Sequence, residues 1–128
     1  MPIGVCLFAG GTLRAFLPAL AFTLAWTHSI EKTRWEEDWQ VTPAGLVLVE
    51  ARIEGSGAGM EPPDGARLRN GVWHYSPATG PRPELNLSVS PWTAPWRLCV
   101  DGQCRTLRAL AQIEEPVAAV RMARCETP

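Results

Sequence analysis

Nowhere in these 128 residues does an apolar run reach the roughly 20 residues that a bilayer-spanning helix needs, and the longest uncharged apolar run, Phe16 to Trp26, falls well short. No transmembrane segment is expected. Cations are missing ahead of Arg14, so the basic start of a secretory signal is absent too, and the sequence by itself points to the cytoplasm. Charge of one sign is also lacking. Twelve Lys and Arg against thirteen Asp and Glu leave a net charge of −1, which gives a nucleic acid nothing to hold and excludes a general nucleic-acid binder. Cysteine and histidine pairs at zinc spacing are missing, because Cys99 and Cys104 have no second pair to complete a site. No metal and no cofactor is expected.

What the chain has in excess is proline, 12 residues in 128, about twice average usage. Proline is tolerated at helix starts, turns and strand edges, so long helices are mostly excluded. The longest stretch free of Gly and Pro lies between Pro18 and Pro43, where an amphipathic helix over 19–40 competes with a hairpin. Alternation favours the hairpin. Phe22, Leu24, Trp26, His28 and Ile30 share one side, with Thr23, Ala25, Thr27 and Ser29 on the other. On the returning strand Trp35, Glu37, Trp39 and Val41 share a face, while Arg34, Glu36, Asp38 and Gln40 meet water. With Glu31 and Lys32 at the tip, Trp26 should face Glu37, His28 should face Trp35 and Leu24 should face Trp39.

Elsewhere, short strands separated by turn signals repeat the pattern. Residues 4–9 and 12–17 flank Gly10-Gly11, and Asn70-Gly71 joins a short strand ending at Arg69 to Val72–Tyr75. Leu46–Ile53 reads as a strand with Val47, Val49, Ala51 and Ile53 on one side, and Leu85, Leu87 and Val89 alternate in another. Trp96–Val100 enters a hairpin turning at Asp101-Gly102, residues 106–113 suit a short helix, and 117–125 suits a last strand. One domain over residues 1–128 is expected, an all-β antiparallel sandwich or closed barrel of about eight to ten short strands.

The Asp101-Gly102 turn would make Val100 and Gln103 a hydrogen-bonded pair and set Cys99 opposite Cys104, close enough to bond. Cys6 and Cys125 lie near the two ends in apolar stretches, as though the first and last strands were neighbours. Two disulfides and four buried thiols of a reducing compartment both stand as readings.

His28 lies within the apolar face, and Glu37 holds the matching face of the partner strand as its diagonal neighbour. A carboxylate beside an imidazole favours imidazolium and fixes the ring, as a ligand-gripping or acid–base pair requires. A polar pair satisfying itself among Trp26, Trp35 and Trp39 is the plainer account of the same pattern, since buried polar groups need partners in any case. No nucleophile is placed beside the pair, since Ser29 falls on the opposite face, so no catalytic residue is assigned. His74, alone after a tight turn, reads as a surface residue.

The segment Glu54 to Pro63 spaces Gly55, Gly57 and Gly59 alternately before Met60 and Glu61, which lets backbone N–H groups approach a ligand or another strand. No Gly-Lys-Ser/Thr follows, so it is not a phosphate loop. The candidate ligand-binding set is therefore His28, Glu37, Trp26, Trp35, Gly55, Gly57, Gly59, Met60 and Glu61.

The blocks Phe22 to Glu37 and Gly55 to Pro63, with Asn70 to Tyr75, Leu98-Cys99, Gly102 to Cys104 and Cys125, resemble a bacterial family, domain of unknown function 1850. The resemblance covers almost the whole chain and brings no established activity or catalytic residue. It implies a context: such proteins are often encoded beside tripartite TRAP-type solute transporters, particularly those with a TAXI-class binding protein. Some relatives carry an N-terminal membrane or export segment, which makes a periplasmic or membrane-associated setting an alternative to the cytoplasm. The expected function is an accessory or small-ligand-binding module of such an uptake system, its partners being transporter components and a small organic acid. A hydrolase or lyase using His28 and Glu37 as its acid–base pair, and a purely structural interaction protein, are the alternatives.

Overall fold

The computed structural model describes residues 3–27, 33–54, 65–77 and 79–126. The described chain forms two antiparallel sheets. β1 (Ile3–Ala9), β2 (Thr12–Leu17), β8 (Glu84–Val89) and β11 (Ala118–Glu126) make the smaller, in the order β2-β1-β11-β8. The larger holds β3 (Ala21–Thr27), β4 (Arg34–Thr42), β5 (Gly45–Glu54), β6 (Arg67–Arg69), β7 (Val72–Tyr75), β9 (Arg97–Val100) and β10 (Gln103–Thr106). Its order is β10-β9-β3-β4-β5-β7-β6, and the architecture is an all-β sandwich rather than a closed barrel. The two sheets enclose a core that includes Val5, Leu7, Val120 and Met122 on one side and Phe22, Leu24, Trp39, Leu46 and Leu98 on the other.

Turn chemistry sets the hairpins. Asp101 and Gly102 take φ of 52° and 80°, the left-handed pair that matches strand twist, and lock Val100 opposite Gln103 and Cys99 opposite Cys104. Cys99 and Cys104 are disulfide-bonded. Gly10-Gly11 and Asn70-Gly71 turn in the same way. Cys6 and Cys125 are also bonded, and the strands that carry them, β1 and β11, pair antiparallel in the middle of the smaller sheet. The expected short helix is a single turn, α1 (Leu107–Leu110), capped by the Thr106 hydroxyl, which accepts from the Ala109 N–H. It stops where Gln112 turns left-handed, with the Gln112 and Ile113 N–H groups closing back onto the Ala109 and Arg108 carbonyls.

Two expectations are corrected. The β3–β4 register is two residues away from the one expected: Trp26 faces Trp35, Leu24 faces Glu37 and Phe22 faces Trp39. A shift of two preserves which face each side chain takes and sets aromatic against aromatic, with Trp26 and Trp35 stacked at 5.2 Å. In β5 the expected single alternation breaks, because a bulge opposite Asp38 and Trp39 leaves Val49 unpaired. Ala51 and Ile53 stay inside, but N-terminal to the bulge Leu46 and Leu48 replace Val47 and Val49 against the core.

The bulged end of β5 also ties the sheets together. Leu46 exchanges two backbone hydrogen bonds with Arg82, at 2.7 and 2.8 Å, just ahead of β8. Gly45, at φ 131°, is required there, since a Cβ would collide with the Arg82 carbonyl. That crossing fixes Arg82 at the rim of the core, where the candidate site lies.

Candidate functional site

Rungs of the larger sheet carry the site as rows on its inner face. One row runs Leu98, Leu24, Glu37, Ala51, Tyr75 across β9, β3, β4, β5 and β7. The next row runs Trp26, Trp35, Ile53, Trp73, Leu68, and Trp96 packs on Trp26 with ring centroids 4.5 Å apart. Glu37 is thus a carboxyl group in the middle of an apolar face, beside an aromatic cluster.

Glu37 is half-buried and opens onto a cleft of about 340 Å³ between the sheets. Leu24, Trp39, Leu85 and Leu87 give the cleft apolar walls, and Arg82, Glu84 and Asn86 give it polar ones. The Trp39 indole Nε1 donates to Glu37 Oε1 at 3.4 Å. Burial pushes the Glu37 carboxyl above the ordinary 4.5, and the indole bond and the Arg82 charge offset only part of that. The Tyr75 phenol, on the same row, is held above 10.0 first by burial and then by the Glu37 charge. At the rim Glu84 is taken up by an ion pair with Arg121, Oε2 to Nε at 3.4 Å, on the outward side of the smaller sheet. A cation, one inward-facing carboxyl group and apolar walls within one cleft make a site that can orient a small polar molecule.

Of the residues expected at the site, the structure brings together Glu37, Trp26 and Trp35 on one inner face, Trp26 and Trp35 as a stacked pair and Glu37 in the adjoining row. His28, Gly55, Gly57, Gly59, Met60 and Glu61 lie outside the described residues. Arg82, on the cleft lining, and Tyr75, on the Glu37 row, belong to the candidate site and were missed by sequence reading. Arg82 stands between Pro81 and Pro83, where no alternation marks a face, and only its bridge to Leu46 brings it to the cleft. Trp92 and Trp96, both in a proline-bounded segment, diverge: Trp96 joins the cluster and Trp92 is 77% exposed.

The opposite face of the same strands carries a second constellation. Arg52 on β5 grips Asp38 with two guanidinium nitrogens, at 2.6 and 2.8 Å, and reaches Glu36 at 3.3 Å and Glu50 at 3.0 Å. Thr23 donates to Asp38 at 2.8 Å, and His74 Nδ1 lies 3.1 Å from Glu50 Oε1. The Arg52 bonds hold Asp38 below 3.8 against the opposing effect of burial, and His74 and then Arg52 hold Glu50 below 4.5. His74 is therefore tied into a network on β3, β4, β5 and β7. Among the described residues no group of three or more His, Cys, Asp or Glu is placed to hold a metal, and Glu37 faces away from Glu36 and Asp38.

The fold and its cleft define a small disulfide-bonded β-sandwich with a carboxyl-bearing cleft between its sheets. The chain belongs to the family described as Domain of unknown function (DUF1850), whose model matches residues 22–107. The matched segment runs from β3 into the start of α1 and includes every residue lining the Glu37 cleft. No curated protein and no solved structure matches the chain. No described helix is long and apolar enough to cross a membrane.

Proposed function

We propose that this DUF1850 domain is a ligand-binding accessory module of a TRAP-type solute uptake system, and that its ligand is a small organic acid held in the Glu37 cleft. The observation that carries the reading is the presence in one cleft of Arg82 and an inward-facing Glu37 whose carboxyl is displaced upward by burial. Arg82 suits a ligand carboxylate, because a guanidinium matches that group in charge and shape. Glu37 suits a hydroxyl or ammonium on the same ligand, which favours hydroxy acids and amino acids over simple carboxylates. The transporter context comes from the family resemblance. Two disulfides support an oxidising compartment such as the periplasm, where bonds of this kind persist.

The test is a thermal-shift and calorimetric panel of small hydroxy, keto and amino acids on the intact chain. Binding of at least one member is expected, with a loss of about tenfold or more in Arg82→Ala and a smaller loss in Glu37→Gln. A panel that leaves melting temperature and heat unchanged, or a hit that both variants bind like the wild type, refutes the assignment.

A further inference from the structure

A second opening lies at the other side of the sandwich, where the edge strands β2 and β10 belong to different sheets and do not pair. It has a volume of about 360 Å³. Its floor is apolar: Leu17 from β2, Leu98 and Val100 from β9, and Leu110 from α1. All but the fully buried Leu98 are partly exposed side chains resting on the core. The polar side comes from β10. Arg105 pairs with Leu98 and Gln103 with Val100, so strand alternation turns both toward the gap between the sheets, whereas Cys104 turns outward with Cys99. Arg105 is exposed and makes no ion pair or side-chain hydrogen bond among the described residues. Asp101, in the hairpin turn, is the one acid on the lining.

We infer that this notch binds an amphipathic monocarboxylate, an aliphatic chain ending in a carboxylate. The chain lies on Leu17, Leu98, Val100 and Leu110, and the carboxylate meets the Arg105 guanidinium with the Gln103 amide beside it. The arrangement has the form of a site for such ligands, an apolar lining with a few convergent polar groups at one end. It is separate from the Glu37 cleft in lining and in ligand. No residue lines both openings, and each has its own cation, Arg105 here and Arg82 at the Glu37 cleft. An inward-turned cation on an edge strand has a second known use, protecting the edge from pairing with another chain, and the experiment separates the two.

The probe is sodium octanoate, titrated into isotopically labelled wild-type protein, with methyl and backbone NMR shifts followed in parallel with calorimetry. Saturable shifts at Leu17, Leu98, Val100 and Leu110 are expected, with octanol binding at least about tenfold more weakly because it lacks the charge. Arg105→Gln should lose about tenfold or more in octanoate affinity, Arg105→Lys should lose less, and Arg82→Ala should bind octanoate like the wild type. Octanoate binding that is unchanged in Arg105→Gln overturns the inference. So does an Arg105→Gln chain that self-associates while the wild type ignores octanoate, since Arg105 is then an edge guard. Shifts confined to the Glu37 cleft, lost in Arg82→Ala, also overturn it while supporting the function proposed above.

Discussion

The two faces of β4 put neighbouring carboxyl groups into opposite situations. Asp38 points outward, keeps part of its solvent and is held by two Arg52 nitrogens and the Thr23 hydroxyl. Glu37 points inward, loses solvent and receives one long bond from an indole. The pKa directions follow: the carboxyl with the guanidinium moves down and the one with the burial moves up. A carboxylate whose charge is fully answered within the sheet contributes to holding the strands, whereas one left with a cleft and an unfinished set of partners is available to something else.

The largest expected break in that comparison comes from the residue that supports the inner face. Trp39 is 4% exposed and stacks with Phe22, so Trp39→Ala should cost about 3 to 5 kcal/mol in urea unfolding, and it also removes the donor to Glu37. On the outer face Arg52→Met strips four hydrogen bonds but keeps much of the aliphatic stem. The pairs are partly exposed and screened, so a loss of about 1 to 2 kcal/mol is expected, shrinking in high salt.

The smallest effects are in the pH dependence, and their signs are opposite. Asp38 binds its proton less tightly when folded, so its stabilising contribution is present above 3.8 and is lost as pH falls through its lowered folded value. Glu37 binds its proton more tightly when folded, so its contribution is complete below 4.5 and is lost as pH rises through its raised folded value. In chemical unfolding across that range, Asp38→Asn should flatten the acid limb and Glu37→Gln should flatten the decline above 4.5. Glu37→Gln should leave stability at neutral pH equal to or slightly above the wild type. A clear loss there would show Glu37 to be a structural carboxylate like Asp38.

The faces themselves were legible in the sequence. Alternation placed Trp35, Glu37 and Trp39 inward and Arg34, Glu36 and Asp38 outward, because a strand's period of two survives any even shift in pairing. The hairpins at Gly10-Gly11, Asn70-Gly71 and Asp101-Gly102 could be read for a similar reason, since these are local signals, and the last also located the Cys99–Cys104 bond, whereas the two-residue turn at Pro43-Ala44 carries no such signal and was not read. The register of β3 on β4 could not be read, since stacking of Trp26 on Trp35 and of Phe22 on Trp39 decides it, and those contacts are visible only once the strands are paired. The bulge at Val49 depends on the partner strand in the same way. Arg52 was recognisable as outward-facing, but its grip on Asp38 needs the β4–β5 register, and Arg82 reaches the cleft only through a long-range bridge between the sheets. What failed to show in the sequence was contact between distant segments, and the unanticipated polar wall of the cleft is made of such contacts.

The most direct test of the central claim, that Glu37 is a held but unsatisfied carboxyl group at the mouth of a binding cleft, is an NMR titration of the side-chain carboxyl carbons of Glu37 and Asp38 in one ligand-free sample. Glu37 is expected to titrate above 4.5 and Asp38 below 3.8. A Glu37 midpoint at or below 4.5 would mean that its charge is already answered within the fold, and the reading of the cleft as a ligand site would not stand.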